Sequence, residues 1–269
     1  MRQHFAGYYF KHQKDDHTLS LIVGQSGRER FIQIITEEFS IVIPFLKGND
    51  FSKKGVRLDI QTSQITLKGT IRYVGLSPIK YDIMGPFAHF PMECRHGIVS
   101  MYHQLIGKVE LNGESIDFTG GVGYIESDSG CSFPSSYVWV QANDFEEQKC
   151  SIMAAVATIP FCGLHFRGCI CVIQYKGREY RFATYLGVRV ILCTKNRILL
   201  KQGKYFLEIR VKGKNAKSLS APKDGRMTRT VWESAACPAE FIFYENGECV
   251  FRLRSERASF EWEAEMLKK

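Results

Sequence analysis

The chain has 269 residues, a formal net charge of +8, 45% hydrophobic residues and 24% charged residues. This composition is typical of globular proteins and excludes disordered and fibrous ones. No apolar run approaches the roughly 18 residues that span a bilayer, and the N-terminus lacks the apolar stretch of a signal peptide. The sequence therefore predicts a globular protein of the cytoplasm that does not insert into a membrane.

Nearly all the predicted elements are β-strands. Runs rich in β-branched and aromatic residues alternate with Gly, Asn, Asp or Lys-Gly turns. These runs are residues 18–23, 31–36, 39–45, 64–74, 103–111, 138–143, 167–175, 180–186, 205–211 and 240–244. Many short strands at intervals of about 8 to 12 residues favour a sandwich or a barrel. Only the tail, residues 261–269, is compatible with a short helix.

The sequence also contains internal echoes. The dipeptides Asn112-Gly113 and Asn246-Gly247 lie half a chain length apart, each is followed by Glu, and a strand follows each. Both predict a hairpin, because the two central residues of a type I′ turn have positive φ. The echoes predict two similar antiparallel units in tandem, each closing into a small barrel that leaves few free sheet edges. The predicted units are residues 1–128 and residues 129–269.

The positive charge is concentrated in one segment. Between Lys195 and Arg229 there are 11 lysines and arginines but only two acidic residues, so this segment carries the whole excess charge. It is either a solvated basic face or a surface for peripheral contact with an anionic membrane or ligand. The regular aromatic residues that stack on bases are missing, which argues against nucleic acid as a partner.

The cysteines point to an intracellular chain without a structural metal. There are nine, an odd number, and most have apolar neighbours, which favours reduced, buried thiols. Cys169 and Cys171 alternate with apolar residues and do not form the paired knuckles of a zinc site. A structural metal is therefore not expected.

Two acidic residues, Glu126 and Asp128, are the first candidate catalytic groups. In an extended segment they lie on the same face, two residues apart. Two carboxylates in a poorly solvated site cannot both ionise easily, so one keeps its proton near neutral pH, as a general acid requires. Ordinary loop polarity is the alternative interpretation.

His96 is the second candidate. A histidine has the chemistry of an acid, a base or an orienting group, and Glu93 or Arg95 stands beside it. The alternative is a structural role, in which His96 hydrogen-bonds the loop that precedes a strand.

Several motifs together resemble the tocopherol cyclase family. They are Gly85-Pro86-Phe87, the run MECRHGIVSM over residues 92–101, the pattern GYIExDxGxSFPxxYxWxQxN over residues 123–143, and YRFATY over residues 180–185. The opening GYYFK, from Gly7, extends the similarity to essentially the whole chain.

The resemblance implies an all-β, calycin-type protein of two lipocalin-like barrels. In plant and cyanobacterial members of the family, an acid protonates a double bond in the tail of a prenylated hydroquinone. The phenol oxygen then captures the tertiary cation, which closes a chromanol ring. This chemistry needs a neutral carboxylic acid in a dry aromatic cavity that tolerates a cation, and it needs no cofactor.

Carried over by these motifs, Asp128 or Glu126 is the proton donor, and His96 orients or deprotonates the phenol. The residues expected to bind the substrate are Tyr137, Trp139, Phe133, Glu93, Arg95, Tyr124 and Gln141. The resemblance thus predicts an isomerase or lyase that acts on a prenylated quinol or another apolar isoprenoid.

Two other functions stay open at this point. One is a non-catalytic, lipocalin-type binder of a lipid or quinone, and the other is a structural double barrel whose motif residues fasten the two units together. The variant Asp128→Asn separates the enzyme from the binder. It abolishes turnover but preserves ligand affinity in the enzyme, and it does little in the binder.

Overall fold

The computed structural model describes residues 4–146, 149–161, 163–213 and 215–263. These residues form twenty β-strands and two short 3₁₀ turns, Gly85–His89 and Thr184–Leu186, so the predicted all-β class is confirmed. Within this described part, neither helical turn has the length and apolarity to cross a bilayer.

The first half of the chain forms one antiparallel sheet. Its strands are β1 (Phe5–Lys14), β2 (His17–Ser26), β3 (Glu29–Ile35), β4 (Ser40–Pro44), β5 (Asp50–Ser52), β6 (Gly55–Gln61), β7 (Thr66–Val74), β8 (Cys94–Leu111), β9 (Glu114–Asp117) and β10 (Val122–Gly130). Their order is β4-β3-β2-β1-β10-β8-β7-β6-β5, and β9 pairs with β8. The rings of Phe45, next to β4, and Phe51, in β5, are 6.3 Å apart. Opposite edges of the sheet therefore meet around one core.

The second half repeats this arrangement. Its strands are β11 (Tyr137–Ala142), β12 (Ser151–Phe161), β13 (Leu164–Tyr175), β14 (Arg178–Ala183), β15 (Arg189–Thr194), β16 (Arg197–Gln202), β17 (Tyr205–Val211), β18 (Lys217–Lys223), β19 (Arg226–Glu245) and β20 (Glu248–Trp262). Their order is β14-β13-β12-β11-β20-β19-β17-β16-β15, and β18 pairs with β19. The edge strand β14 bends back to β16, where the Gln202 side chain hydrogen-bonds the main chain of Arg181 and Ala183.

Both predicted hairpins are present. Asn112 and Gly113 have φ of 52° and 89°, and Asn246 and Gly247 have 53° and 86°, as a type I′ turn requires. The predicted tail helix is wrong where it can be checked, because residues 261 and 262 continue β20, and residues 264–269 lie outside the described residues. The boundary between residues 128 and 129 stays a prediction. The strands of the first sheet end at Gly130, and those of the second begin at Tyr137.

The two sheets meet through their central strands, β1 and β11. Three pairs of side chains meet across this interface: Tyr9 with Trp139, Lys11 with Gln141, and Gln13 with Asn143. The rings of the first pair are 5.6 Å apart, and the two hydrogen bonds are 3.1 and 3.0 Å long. Both hydrogen-bonded pairs are 130 positions apart in the chain. Contact between equivalent positions is what an approximate two-fold axis produces. We call this row of pairs the axial ladder.

The connection between β7 and β8, residues 75–93, crosses from the first sheet to the second. Arg181 donates to the carbonyl of Tyr81 at 2.6 Å, and the Tyr185 hydroxyl donates to the carbonyl of Ile83 at 3.1 Å. At Gly85, where φ is +52°, a Cβ atom would lie 2.6 Å from the Tyr185 ring. Only glycine fits this close approach. The connection is thereby held across one side of the space between the sheets.

Candidate active site

A cavity of about 190 Å³ lies between the two sheets, at one end of the axial ladder. Its aromatic lining comprises Phe5, Tyr8, Tyr9, Phe31, Phe87, Phe133, Tyr137, Trp139, Phe166 and Tyr185. Among the described residues that line it there is no lysine or arginine, and the acidic and histidine side chains are His96, Glu126, Asp128 and Glu261. These four groups therefore lie in largely apolar surroundings.

Strand geometry brings three of them together. Glu126 and Asp128 are two residues apart on β10, so their side chains lie on the same face of the sheet. In the antiparallel pairing of β10 with β8, Asp128 lies directly opposite His96. The His96 ring lies between the two acids, with Nδ1 at 3.0 Å from Asp128 Oδ1 and Nε2 at 3.4 Å from Glu126 Oε2.

The charge on His96 follows from this position. Burial alone lowers the pKa of the imidazole, but the carboxylates of Asp128 and Glu126 outweigh it and raise the pKa to about 9. His96 is therefore an imidazolium at neutral pH. It is able to orient the acids and stabilise negative charge, and it would have to lose its proton before it could act as a base.

Glu126 has two different oxygens. Oε2 accepts hydrogen bonds from the Tyr124 hydroxyl at 2.6 Å and from Trp139 Nε1 at 3.2 Å, while no hydrogen bond to Oε1 is made by the described residues. Burial raises the pKa of Glu126 to about 7, although His96 acts against the shift. Oε1 is therefore the oxygen available to carry a proton.

The fourth group, Glu261, comes from the second sheet and was not singled out by the sequence. The Tyr137 hydroxyl donates to its Oε2 at 2.5 Å. Burial raises the pKa of Glu261 to about 8, while the hydrogen bond from Tyr137 acts against the shift. The internal echo pointed to within one residue of it, because the offset of 134 positions between Asn112 and Asn246 carries Glu126 to Phe260, the neighbour of Glu261.

The structure separates the expected substrate-binding residues into three groups. Those that line the cavity are Phe133, Tyr137 and Trp139. Tyr124 lies behind Glu126 and acts through its hydrogen bond. Those outside the lining are Glu93, Arg95 and Gln141. The Glu93 carbonyl accepts from the Cys131 amide, and Gln141 belongs to the axial ladder.

His96, Glu126 and Asp128 also have the spacing of a metal site. One ligand atom from each lies within 4.8 Å of the others. The two carboxylates favour the protonated ring of His96, and a metal would have to displace that proton before the ring could bind it. The three side chains therefore fit a hydrogen-bonded acid cluster better, and the expected absence of a metal stays a prediction.

Carboxylates neutralise part of the basic segment, residues 195–229. The ion pairs are Arg197 and Arg210 with Glu208, Lys204 with Glu245, and Arg229 with Glu263. Lys214 lies outside the described residues. Peripheral contact of this segment with an anionic membrane stays a prediction. Eight of the nine cysteines are described, and all eight are free thiols.

Comparisons with known proteins agree with this architecture. The model of the family described as tocopherol cyclase-like matches residues 14–259. Kievitone hydratase from Nectria haematococca has a TM-score of 0.54 at 11% identity, with 97% of this chain and 89% of that chain covered. CghA in complex with Sch210972 has a TM-score of 0.58 at 8% identity, with the same coverages of 97% and 89%. No curated protein matches the sequence. These structures share the two-barrel fold, which confirms the predicted architecture.

Proposed function

The chain belongs to the tocopherol cyclase-like family, and we propose that it is an acid-catalysed enzyme that protonates a double bond of an apolar isoprenoid held between its two sheets. The favoured reaction is the closure of a prenylated quinol to a chromanol-type ring. One observation carries the proposal. Glu126 is a buried carboxyl with one anchored and one free oxygen, and it stands beside a histidine cation in an apolar cavity.

The proton leaves from Oε1 of neutral Glu126. It is transferred to the less substituted carbon of the double bond, forming a C–H bond and a tertiary carbocation. The Glu126 carboxylate left behind accepts hydrogen bonds from Tyr124 and Trp139 and lies 3.4 Å from the imidazolium of His96. Charge-assisted contacts of this kind stabilise the carboxylate and so assist proton release.

The cavity protects the cation. Aromatic faces such as those of Tyr9 and Trp139 attract positive charge, and an apolar lining keeps water from capturing it. The phenol oxygen attacks the cation, forming the C–O bond, and its proton returns to the Glu126 carboxylate. The acid is regenerated, the reaction is an isomerisation, and no cofactor is consumed. Asp128 holds His96 in place and in its charged form.

The test is turnover of a geranylgeranylated hydroquinone in deuterated water. The wild-type protein should form the chromanol with deuterium on the former alkene carbon. Glu126→Gln should lower turnover by at least about 100-fold while still binding the substrate. Wild-type turnover should fall as the pH rises above about 7, because the neutral form of Glu126 is lost.

A matched control is Glu110→Gln, an exposed acid on β8 outside the cavity lining. It should behave as wild type. Undiminished turnover in Glu126→Gln contradicts the proposal. A wild-type protein that retains the hydroquinone without converting it supports the non-catalytic binder instead.

A further inference from the structure

Glu261 is the counterpart of Glu126 in the second sheet. In the pairing of β1 with β10, Tyr9 lies opposite Glu126, and in the pairing of β11 with β20, Trp139 lies opposite Glu261. Tyr9 and Trp139 themselves meet in the axial ladder. The approximate two-fold axis therefore relates the two acids, and both line the same cavity.

The two acids differ in their access to positive charge. His96 lies 3.4 Å from Glu126, whereas no described lysine, arginine or histidine forms an ion pair with Glu261. The nearby Arg229 pairs with Glu263 at 2.9 Å and donates to the carbonyl of Pro134 at 2.6 Å. Ionisation of Glu261 would place an anion without a direct ion-pair partner in an apolar cavity, close to the acids Glu126, Asp128 and Glu263, which is costly. Glu261 is therefore suited to remain neutral throughout a reaction cycle.

A neutral Glu261 has one hydrogen-bond donor to offer. Its Oε2 accepts from the Tyr137 hydroxyl, and no described residue hydrogen-bonds to Oε1, so the proton resides on Oε1. Part of the residue's surface is accessible, and the residue lines the cavity. A donor enclosed in apolar surroundings needs an acceptor. In an occupied cavity, the ligand has to supply it.

We propose that Glu261 recognises an oxygen atom of the substrate, with its carboxyl group donating a hydrogen bond to a hydroxyl or carbonyl oxygen on the ring. The substrate class is then an oxygenated isoprenoid, such as a prenylated quinol or quinone, and not a polyene hydrocarbon. This inference rests on the proposed function in so far as the cavity is the substrate site. It adds a specificity residue on the wall opposite the proton donor.

The test is competition between two ligands that differ only in oxygen content. Geranylated hydroquinone and geranylbenzene are offered together in equal amounts, and native mass spectrometry measures which is retained. The wild-type protein should prefer the hydroquinone by about tenfold, the value of one well-placed hydrogen bond. Glu261→Met should reduce the preference below about twofold but should still bind geranylbenzene. Glu261→Gln, which keeps a hydrogen-bond donor, should keep most of the preference for the hydroquinone.

Two further measurements separate recognition from folding. Thermal unfolding shows whether Glu261→Met is folded. Tyr137→Phe leaves Glu261 in place but removes the hydroxyl that orients it, and should reduce the preference to about threefold. A wild-type protein that binds neither ligand or shows no preference overturns the inference. So does a folded Glu261→Met protein that keeps the full preference.

The outcomes also distinguish this inference from the proposed function. A clear oxygen preference that depends on Glu261, in a protein that never converts the hydroquinone, leaves the recognition role standing and removes the enzymatic proposal. Turnover that depends on Glu126, together with an unchanged preference in Glu261→Met, supports the enzymatic proposal and removes the recognition role of Glu261.

Discussion

β10 and β20 carry equivalent acids in different electrostatic settings. β20 directly follows the Asn246-Gly247 turn, whereas the short strand β9 separates β10 from Asn112-Gly113. Each of the two strands contributes a glutamate to the cavity, and a second acid follows two residues later in the chain. In the first sheet, the second acid, Asp128, holds His96, whose other nitrogen approaches Glu126. In the second sheet, the second acid, Glu263, holds Arg229, which is otherwise bound to main-chain carbonyls.

The comparison shows that two different features are needed, one that keeps a carboxyl group protonated and one that allows it to release its proton. Burial raises the pKa of both glutamates, to about 7 for Glu126 and about 8 for Glu261. The position of the cation decides which of them can release its proton and remain stable as an anion. A duplicated sheet thus provides two similar carboxyl groups, and one histidine makes them different.

The largest expected effect comes from removing that histidine. His96→Gln deprives Glu126 of its neighbouring cation, so the pKa of Glu126 should rise above 7 and its environment should resemble that of Glu261. We expect turnover of the hydroquinone to fall by about 100-fold. Carboxyl titration by ¹³C NMR should show the upward shift. An unchanged pKa of Glu126 in a folded His96→Gln protein would contradict the claim that His96 makes the two glutamates different.

An intermediate effect is expected on stability as the pH changes. Burial raises the pKa of Glu126, Glu233 and Glu261 from 4.5 to about 7, 8 and 8, so each is more protonated in the folded state than in the unfolded state. For His96, two acids outweigh burial and raise the pKa from 6.5 to about 9. All four groups stabilise the fold at low pH, and this stabilisation is lost as the pH rises through the folded-state pKa values. The melting temperature should therefore fall between pH 6.5 and 8.

One substitution tests which groups cause this dependence of the melting temperature on pH. Glu233 is fully buried, accepts a hydrogen bond from Tyr9 at 2.7 Å and does not line the cavity. Glu233→Gln should flatten the dependence of the melting temperature on pH, because one raised pKa is removed, whereas Glu110→Gln should leave it unchanged. A melting temperature that rises over this pH range runs against the assignment of the four groups.

The smallest effect on turnover is expected from the second sheet's cation. Arg229→Gln removes the partner of Glu263 and the contacts to three carbonyls. It should cost about 1 to 3 kcal/mol of unfolding free energy and leave turnover within about twofold of wild type. Denaturant unfolding and the hydroquinone assay measure the two quantities. A loss of turnover as large as in His96→Gln would show that the two cations are equivalent after all.

Much of the fold was accessible from the sequence because it depends on local patterns. Alternating apolar residues define the strands, and the Asn-Gly turns require positive φ. Glu126 and Asp128 were found from their spacing on one extended segment and His96 from a separate motif, and only the family resemblance linked the three. The antiparallel register that sets Asp128 opposite His96 came from the structure.

The differences between the expected and the observed cavity lining have equally physical causes. Successive side chains of a strand alternate between faces, so Arg95 points away from the side that His96 occupies. Gln141 shares the face of Trp139, but it lies further along β11, where Lys11 fills the space with a hydrogen bond of 3.1 Å. Glu261 reaches the cavity only through the meeting of two sheets, a contact that local spacing does not encode.

The axial ladder has one more consequence, for the distance between the two glutamates. Side-chain hydrogen bonds at the far end of the interface tolerate little sliding, since a displacement of even one ångström breaks them, whereas apolar contacts adapt. The hydrogen bonds between Lys11 and Gln141 and between Gln13 and Asn143 therefore fix the distance between the two sheets on either side of the cavity. Substitutions in these four residues, which lie outside the cavity lining, are in this way able to change the width of the cavity that a substrate ring has to fit.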